Sequence, residues 1–414
     1  MKRFLLTSSI VITLSILAGT SLRAQDDLHQ SYPLNANGTV SVTNISGSIR
    51  ITGWNENRVQ VEAVKRGNKD EFSLVEIRVS NSPERLQIET IYPRSSWRQN
   101  RNVWVEYELK VPQGAILNPI ATTSGNITIT EAGGRVIARS TSGNVTVERT
   151  SGETNLNTTS GDITAERTSG TLTINSTSGN VHVKEVKSKL SIHTTSGDVL
   201  ATDLRDDASM TVTSGEIRVE TASGRVHARA MSGEVRVKDI GGDAMLESIS
   251  DAVIAENVKG RVTITAVSAD VMVRNAQEGA RINSVSGTIT VTQTKGLIEA
   301  KTTSGDVIVQ DVDSHEIQLG THSGSISYNG LIYDDGRYSF DSFNGSVAIT
   351  IPANSNFSLL ATTFNGNLET DFSITIPPGT TQTNRPKRLQ GTHGNGGAQL
   401  KINGFSADIK LKKK

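Results

Sequence analysis

The 414-residue chain carries 42 Lys and Arg against 42 Asp and Glu, has no cysteine, and is only 4% aromatic. The charge balance removes a broad electrostatic case for nucleic acid or an anionic membrane as partner, and the missing cysteine excludes disulfides, thiolate zinc sites, iron–sulfur clusters and cysteine nucleophiles. With 37 glycines and so few aromatics, the composition fits a repetitive β protein better than an ordinary α/β enzyme core.

The chain opens with Met1-Lys2-Arg3, an apolar or small run from Phe4 to Leu17, and Leu22-Arg23-Ala24. This pattern predicts a secretory signal peptide over residues 1–24, cleaved after Ala24. The apolar run is shorter than the roughly 20 residues that span a bilayer. No cysteine follows to carry a lipid anchor, and no later run reaches transmembrane length. The mature chain, with a charge near −3, is expected to be extracytoplasmic: periplasmic, at the cell surface or secreted.

Residues 25–118 alternate apolar and polar positions, as in Val75-Glu76-Ile77-Arg78-Val79 and Val103-Trp104-Val105-Glu106-Tyr107-Glu108-Leu109. Such alternation predicts antiparallel strands with one wet face. Within this region, Ser46-Gly47-Ser48-Ile49-Arg50-Ile51 already anticipates the repeat that follows. The region is expected to begin the sheet and cap its exposed edge.

Residues 119–328 form the repeat. Counting in nines from Gly125 to Gly305 gives 21 positions, of which 16 are Gly, and the residue four further on is apolar in all 21. Each nine reads as a corner followed by two inward residues of a short strand, with glycine supplying a positive φ or a tight turn. Every second corner is preceded by serine, at Ser124, Ser142, Ser160, Ser178, Ser196, Ser214, Ser232, Ser250, Ser268, Ser286 and Ser304. The period is therefore 18, and it predicts an all-β parallel β-solenoid (β-helix-like). Each 18-residue coil consists of two nine-residue steps, with antiparallel β segments capping both ends. Three six-residue sides per coil are the alternative, and the nine-residue glycine spacing favours two. About ten coils at roughly 4.8 Å each predict a rod of about 50 Å. Strand parity places the serine hydroxyls at an inner corner, hydrogen-bonded along the stack, and charged residues such as Glu148 and Arg149 at the opposite, outward corner.

Beyond Gly305 the step lengthens, with motif glycines at 324, 345 and 366. Residues 329–414 read as a C-terminal β repeat and cap, in which Gln399 to Leu411 forms the last strand and closes that end.

No catalytic, cofactor-binding or metal-binding set emerges. A calcium β-roll needs Gly-Gly-x-Gly-x-Asp in each nine, and here each nine holds one glycine followed irregularly by Asp or Asn. Glycoside hydrolysis needs two carboxylates a few ångströms apart; Asp206, Asp207 and Asp251 replace corner glycines, where Asp tolerates turn geometry. Asp243 and Asp270 carry no stronger signal. The seven histidines are scattered, and His182 and His227 lie 45 residues apart, on opposite sheets. The serines lack a spaced histidine base. The outward row Thr128, His182, Leu200, Arg218, Ile254, Met272 is too varied for an ice-binding threonine array. No aromatic occurs between Tyr107 and Tyr328, so recognition through aromatic rings belongs to the ends, with Trp54, Trp97, Tyr333 and Tyr338 as candidate ligand contacts.

The signal peptide, Gly47-Ser48-Ile49-Arg50-Ile51-Thr52-Gly53-Trp54-Asn55, Val105-Glu106-Tyr107-Glu108-Leu109-Lys110-Val111-Pro112, and the many Thr-Ser-Gly-x-Val/Ile-x-Val units together resemble a bacterial β-strand-repeat family of unknown function that carries an adhesin label. The resemblance covers most of residues 35–411. It implies a β-helix-like fold and an envelope or surface setting, and it supplies no catalytic residues. The expected function is a non-enzymatic, adhesin-like solenoid that binds or scaffolds at the envelope or surface, its partner a surface protein or glycan. A polysaccharide-active β-helix enzyme and a purely structural spacer are the alternatives.

Overall fold

The computed structural model describes residues 27–92, 103–378 and 386–414; the signal-peptide segment and Trp97 lie outside these. The chain forms a parallel β-solenoid of about 13 turns with antiparallel strands at its ends. A representative coil consists of the longer strand Val136–Ser142 and the shorter strand Val145–Glu148. Val136 pairs with Thr154 and Val145 with Ile163, in parallel and one coil further along the chain. Longer strands therefore stack into one face and shorter strands into another. The inward apolar residues, such as Leu172, Ile174, Val181 and Val183, are buried. Each contributes about 1.5–3 kcal/mol by leaving water, and the contribution recurs coil after coil.

The two corners differ physically. At the Ser-Gly corner the chain takes a positive φ, 149° at Gly143 and 147° at Gly161. A Cβ on Gly161 would lie 2.3 Å from the Gly143 carbonyl oxygen. At the second corner the positive φ falls three residues before the glycine, on Arg149, Arg167, Glu185 and their equivalents. There the glycine serves close approach, since a Cβ on Gly152 would lie 2.1 Å from the Gly134 oxygen.

Two hydrogen-bond series tie the Ser-Gly corners together. The Gly143 N–H donates to the Ser160 carbonyl at 3.0 Å, and Gly161 and Gly179 repeat the contact with Ser178 and Ser196 at 3.1 Å. The next residue adds a side-chain series: Asn144 N–H donates to Asn126 Oδ1 (2.9 Å), Asp162 N–H to Asn144 Oδ1 (2.9 Å), and Asn180 N–H to Asp162 Oδ1 (2.8 Å). Asp and Asn after the glycine thus cap the backbone of the following coil, which accounts for the irregular acid content that excluded a calcium roll.

The serine hydroxyls correct the expectation from parity. From Ser124 through Ser304 the ladder serines are exposed, with Ser286 half-buried. The strand bends one residue early, so two successive residues face outward and the serine contributes its carbonyl rather than its hydroxyl. The buried hydroxyls stand two residues earlier: Thr122, Ser140, Thr158, Ser176, Thr194, Ser248, Ser284 and Thr302. Ser140 Oγ donates to the Gly125 carbonyl at 3.2 Å.

Both ends depart from chain order. The coil of Thr39–Thr43 and Ile49–Trp54 lies between two later coils. Antiparallel strands cover the outside, with Asp27–Pro33 on Arg58–Gly67 and Glu76–Ser82 on Arg85–Ile91. At the other end Ala398–Lys413 does not close the stack. It is inserted between Arg337–Ile351 and Phe357–Thr363, parallel to both, and Lys387–His393 covers the outermost strand antiparallel. Insertion gives the last strand a backbone partner on each side and leaves the exposed edge to a hairpin.

Gly161→Ala must shift two coils apart or strain its φ, and it is expected to cost about 1–3 kcal/mol, read as a lower urea midpoint. Ala269→Gly, at a corner without a positive φ and already adapted to a buried methyl, is expected to lower the midpoint slightly, a cost of about 0.5–1 kcal/mol.

Candidate functional site

A solenoid turns each position of its repeat into a row along the rod. One outward row runs along the Ser-Gly edge, two residues before each corner glycine. In spatial order it reads Ile45, then Thr123, Thr141, Thr159, Thr177, Thr195 and Thr213, then Met231, Ile249, Val267 and Val285, then Thr303, His322, Phe343, Phe405 and Phe364. It changes along the rod from hydroxyl to aliphatic to aromatic. The four aliphatic residues and three phenylalanines are between 36% and 50% exposed and form two apolar runs on one edge, separated by Thr303 and His322, an unusual concentration on a protein surface. Sequence reasoning missed this row, although its signal is plain once the residue before each ladder serine is read down the repeat.

The aromatic section exists because the last strand is inserted. His322 stacks on Phe343 at 4.6 Å, Phe343 on Phe405 at 4.7 Å with planes 2° apart, and Phe405 on Phe364 at 5.2 Å, also at 2°. Phe405 comes from the inserted strand and joins Phe343 of one neighbouring strand to Phe364, which directly follows the other. Stacked in this way, the rings present mainly their edges outward. Beside them a groove of 820 Å³ opens between Lys301 and Asp341, because Gly320 places no side chain there. Its polar rim is internally satisfied: Lys301 Nζ donates to Glu299 (2.6 Å), and Asp341 accepts from Asn403 Nδ2 (2.6 Å) and from Ser339 Oγ (3.0 Å).

Of the ring residues singled out in the sequence and described by the structure, Tyr333 and Tyr338 are in contact at the C-terminal end and Trp54 stands apart at the N-terminal end. Trp54 is half-buried, donates to the Arg58 carbonyl at 2.8 Å and carries the Arg58 guanidinium over its face. Tyr338 is core rather than surface: it is 1% exposed, its hydroxyl donates to the Ser314 carbonyl and accepts from the Tyr333 N–H, both at 2.9 Å, and burial pushes its pKa up to about 12. Tyr333 is half-buried, stacks on His315 at 4.2 Å and donates to Asp313 at 2.7 Å. That hydrogen bond holds its pKa above the ordinary tyrosine value.

The corner carboxylates act locally. Asp206 accepts from the Asp207 N–H and Asp251 from the Ala252 N–H; Asp243 and Asp270 cap the coil that follows. Asp207 accepts from the Arg225 side chain at 2.7 Å, and this contact holds its carboxyl below the usual range. Asp206 lies at the second corner and Asp251 at the Ser-Gly corner, so they form no facing pair. The opposite edge carries the expected charges, with Arg149 bridging Glu131 and Glu148, and Arg167 bridging Glu148 and Glu166.

Tyr338→Phe removes a donor and acceptor from a buried site and is expected to cost about 1–3 kcal/mol in urea unfolding. An unchanged midpoint would contradict the core assignment.

The Toastrack DUF4097 family profile matches residues 39–239 and 262–412. No curated protein matches the chain. A solved candidate adhesin from Bacteroides fragilis is 14% identical, with 52% of this chain and 97% of that chain covered and a TM-score of 0.37. A candidate cell adhesion protein from Clostridium sporogenes is 7% identical, with 94% and 100% covered and a TM-score of 0.16. A candidate adhesin from Parabacteroides distasonis is 11% identical, with 71% and 96% covered and a TM-score of 0.18. The profile spans both the regular repeat and the inserted C-terminal strand, and the chain belongs to the Toastrack DUF4097 family.

Proposed function

We propose that this protein is a non-enzymatic extracytoplasmic solenoid that binds a macromolecular partner at the cell envelope or surface through its Ser-Gly edge. The exposed row from Met231 to Phe364 carries this reading: its two apolar runs, Met231 to Val285 and Phe343 to Phe364, gathered on one edge mark an interaction surface. The N-terminal sequence pattern supports export, and among the described residues no helix is long and apolar enough to cross a membrane. The adhesin names of the B. fragilis, C. sporogenes and P. distasonis proteins agree with a binding role. Edge-on rings favour a protein partner over a sugar, because sugar stacking uses ring faces and these faces are already occupied by neighbouring rings.

The test combines fractionation and protease shaving of cells with binding of purified residues 25–414 to immobilised envelope fractions. The protein is expected in the envelope or at the surface, and Val267→Asp with Phe343→Asp is expected to reduce retention at least tenfold while the β circular dichroism is preserved. Cleavage of envelope or plant polysaccharide that stops on Asp206→Asn or Asp251→Asn would overturn this reading in favour of an enzyme.

A further inference from the structure

We infer that the Ser-Gly edge seats a second copy of this chain, in a parallel two-fold dimer with like coils side by side. This rests on the edge being a binding surface and names its occupant.

Three observations carry it. The first is spacing. The row advances by one coil, roughly 4.8 Å, at each step, whereas side chains on one face of an extended peptide recur at roughly 6.6–6.8 Å. A peptide drifts out of step within a few residues, but a second solenoid of the same pitch stays in step along the whole rod.

The second is the order of residues in the row. With the two-fold axis parallel to the rod, each residue meets its own equivalent: Val267 faces Val267, Thr303 faces Thr303, Phe343 faces Phe343. The hydroxyl, aliphatic and aromatic sections then all coincide. An antiparallel pair centred on Val285 would instead set Thr213 against Phe405.

The third is charge. The same axis places the row four residues before each corner glycine opposite the row one residue after it. Across the interface Arg229 meets Glu234, Lys301 meets Asp306, and His193 meets Asp198. The remaining acids, Glu247 and Asp341 in the first row and Asp162, Glu216, Asp270 and Asp408 in the second, all meet uncharged residues, so no like charges oppose each other. Within one chain Arg229 contacts Glu247 and Glu234 contacts Arg236. Such half-exposed surface pairs remain in contact with water, where single ion pairs are worth little and partners exchange.

The available area is sufficient. Sixteen rungs, Ile45 to Phe364, span roughly 70 Å. A strip about 10 Å wide gives roughly 700 Å² per copy, close to the roughly 800 Å² of a standard stable interface.

The chain contains no cysteine, so single-cysteine variants report register directly. Sedimentation of residues 25–414 is expected to show a concentration-dependent dimer that Val267→Asp with Phe343→Asp converts to monomer. Thr146→Asp, on the outward side of a short strand, is expected to leave the dimer intact and serves as the folding control. Mild oxidation of Val285→Cys is expected to give covalent dimer. A mixture of Met231→Cys and Phe343→Cys chains, distinguished by mass, is expected to give only like-with-like products. A mixed 231–343 product, a chain that is monomeric at every concentration, or a dimer that survives both aspartates would each overturn the proposal. If the monomeric chain still binds envelope fractions in an edge-dependent way, the dimer falls and the binding role stands.

Discussion

At most Ser-Gly corners a glycine N–H meets the carbonyl of the serine one coil further on, and beside it, from Asn126 through Asp198 and again at Asp270 and Asp306, an Asn or Asp side chain caps the next backbone amide. These contacts fix the rise between coils at the turn, where strand pairing alone would let the chain spread. At the positive φ of these corners glycine is needed, because a Cβ there would collide with the carbonyl below; Ala269 keeps the contact, at 3.1 Å, without a positive φ. The corners hold their register even where the step lengthens to 19 and 21 residues: Gly305 N–H reaches the Ser323 carbonyl and Gly324 N–H the Asn344 carbonyl, both at 2.9 Å, so extra residues are taken up elsewhere in the coil.

The glycine-to-serine series has one flaw among the described residues. Asp251 and Ala269 replace the corner glycine in successive turns, and the glycine-to-serine bonds skip Gly233 and Asp251. The chain compensates locally, with Ser248 Oγ donating to the Asp251 carbonyl at 3.0 Å and Ile249 N–H reaching the Ala230 carbonyl at 3.3 Å. The flaw coincides with the aliphatic section of the edge, where Ile249 and Val267 stand exposed. Regularity supplies the rod, and the departures from it, here and at the inserted C-terminal strand, give one edge a character that the threonine-lined section lacks. Function on such a scaffold is a property of rows rather than of a pocket: a substitution acts as one rung of a ladder, and a partner reads the sum.

Much of this architecture was legible in the sequence, because a solenoid writes its geometry into spacing. The nine-residue glycine grid, the inward Val and Ile, the second-corner charges and the resemblance to a known repeat family all carried through to the fold. The serine hydroxyls did not, because a one-residue bend at the corner reverses parity and no local residue preference marks it. The inserted strand was hidden because pairing between Ser342 and Gly404 spans a long loop that periodicity does not cross. Tyr338 looked like an end-exposed ring because its burial depends on the loop from Leu331 to Gly336 folding over Ser314. The exposed row proposed as the binding edge was present at a fixed place in every repeat, yet it was passed over because the invariant serine beside it drew the interpretation.

The most direct measurement of the central claim, that this edge is the working surface, is side-chain accessibility in cells producing the protein. Single cysteines at Val267, Val285 and Phe343, and at Thr146 and Met272 on the short-strand face, would be labelled with a maleimide and quantified by mass. The account predicts that the three edge positions label several-fold more slowly than the two face positions in cells, and at comparable rates in denaturant. Equal labelling of edge and face in cells would mean that nothing covers the edge, and would contradict the account.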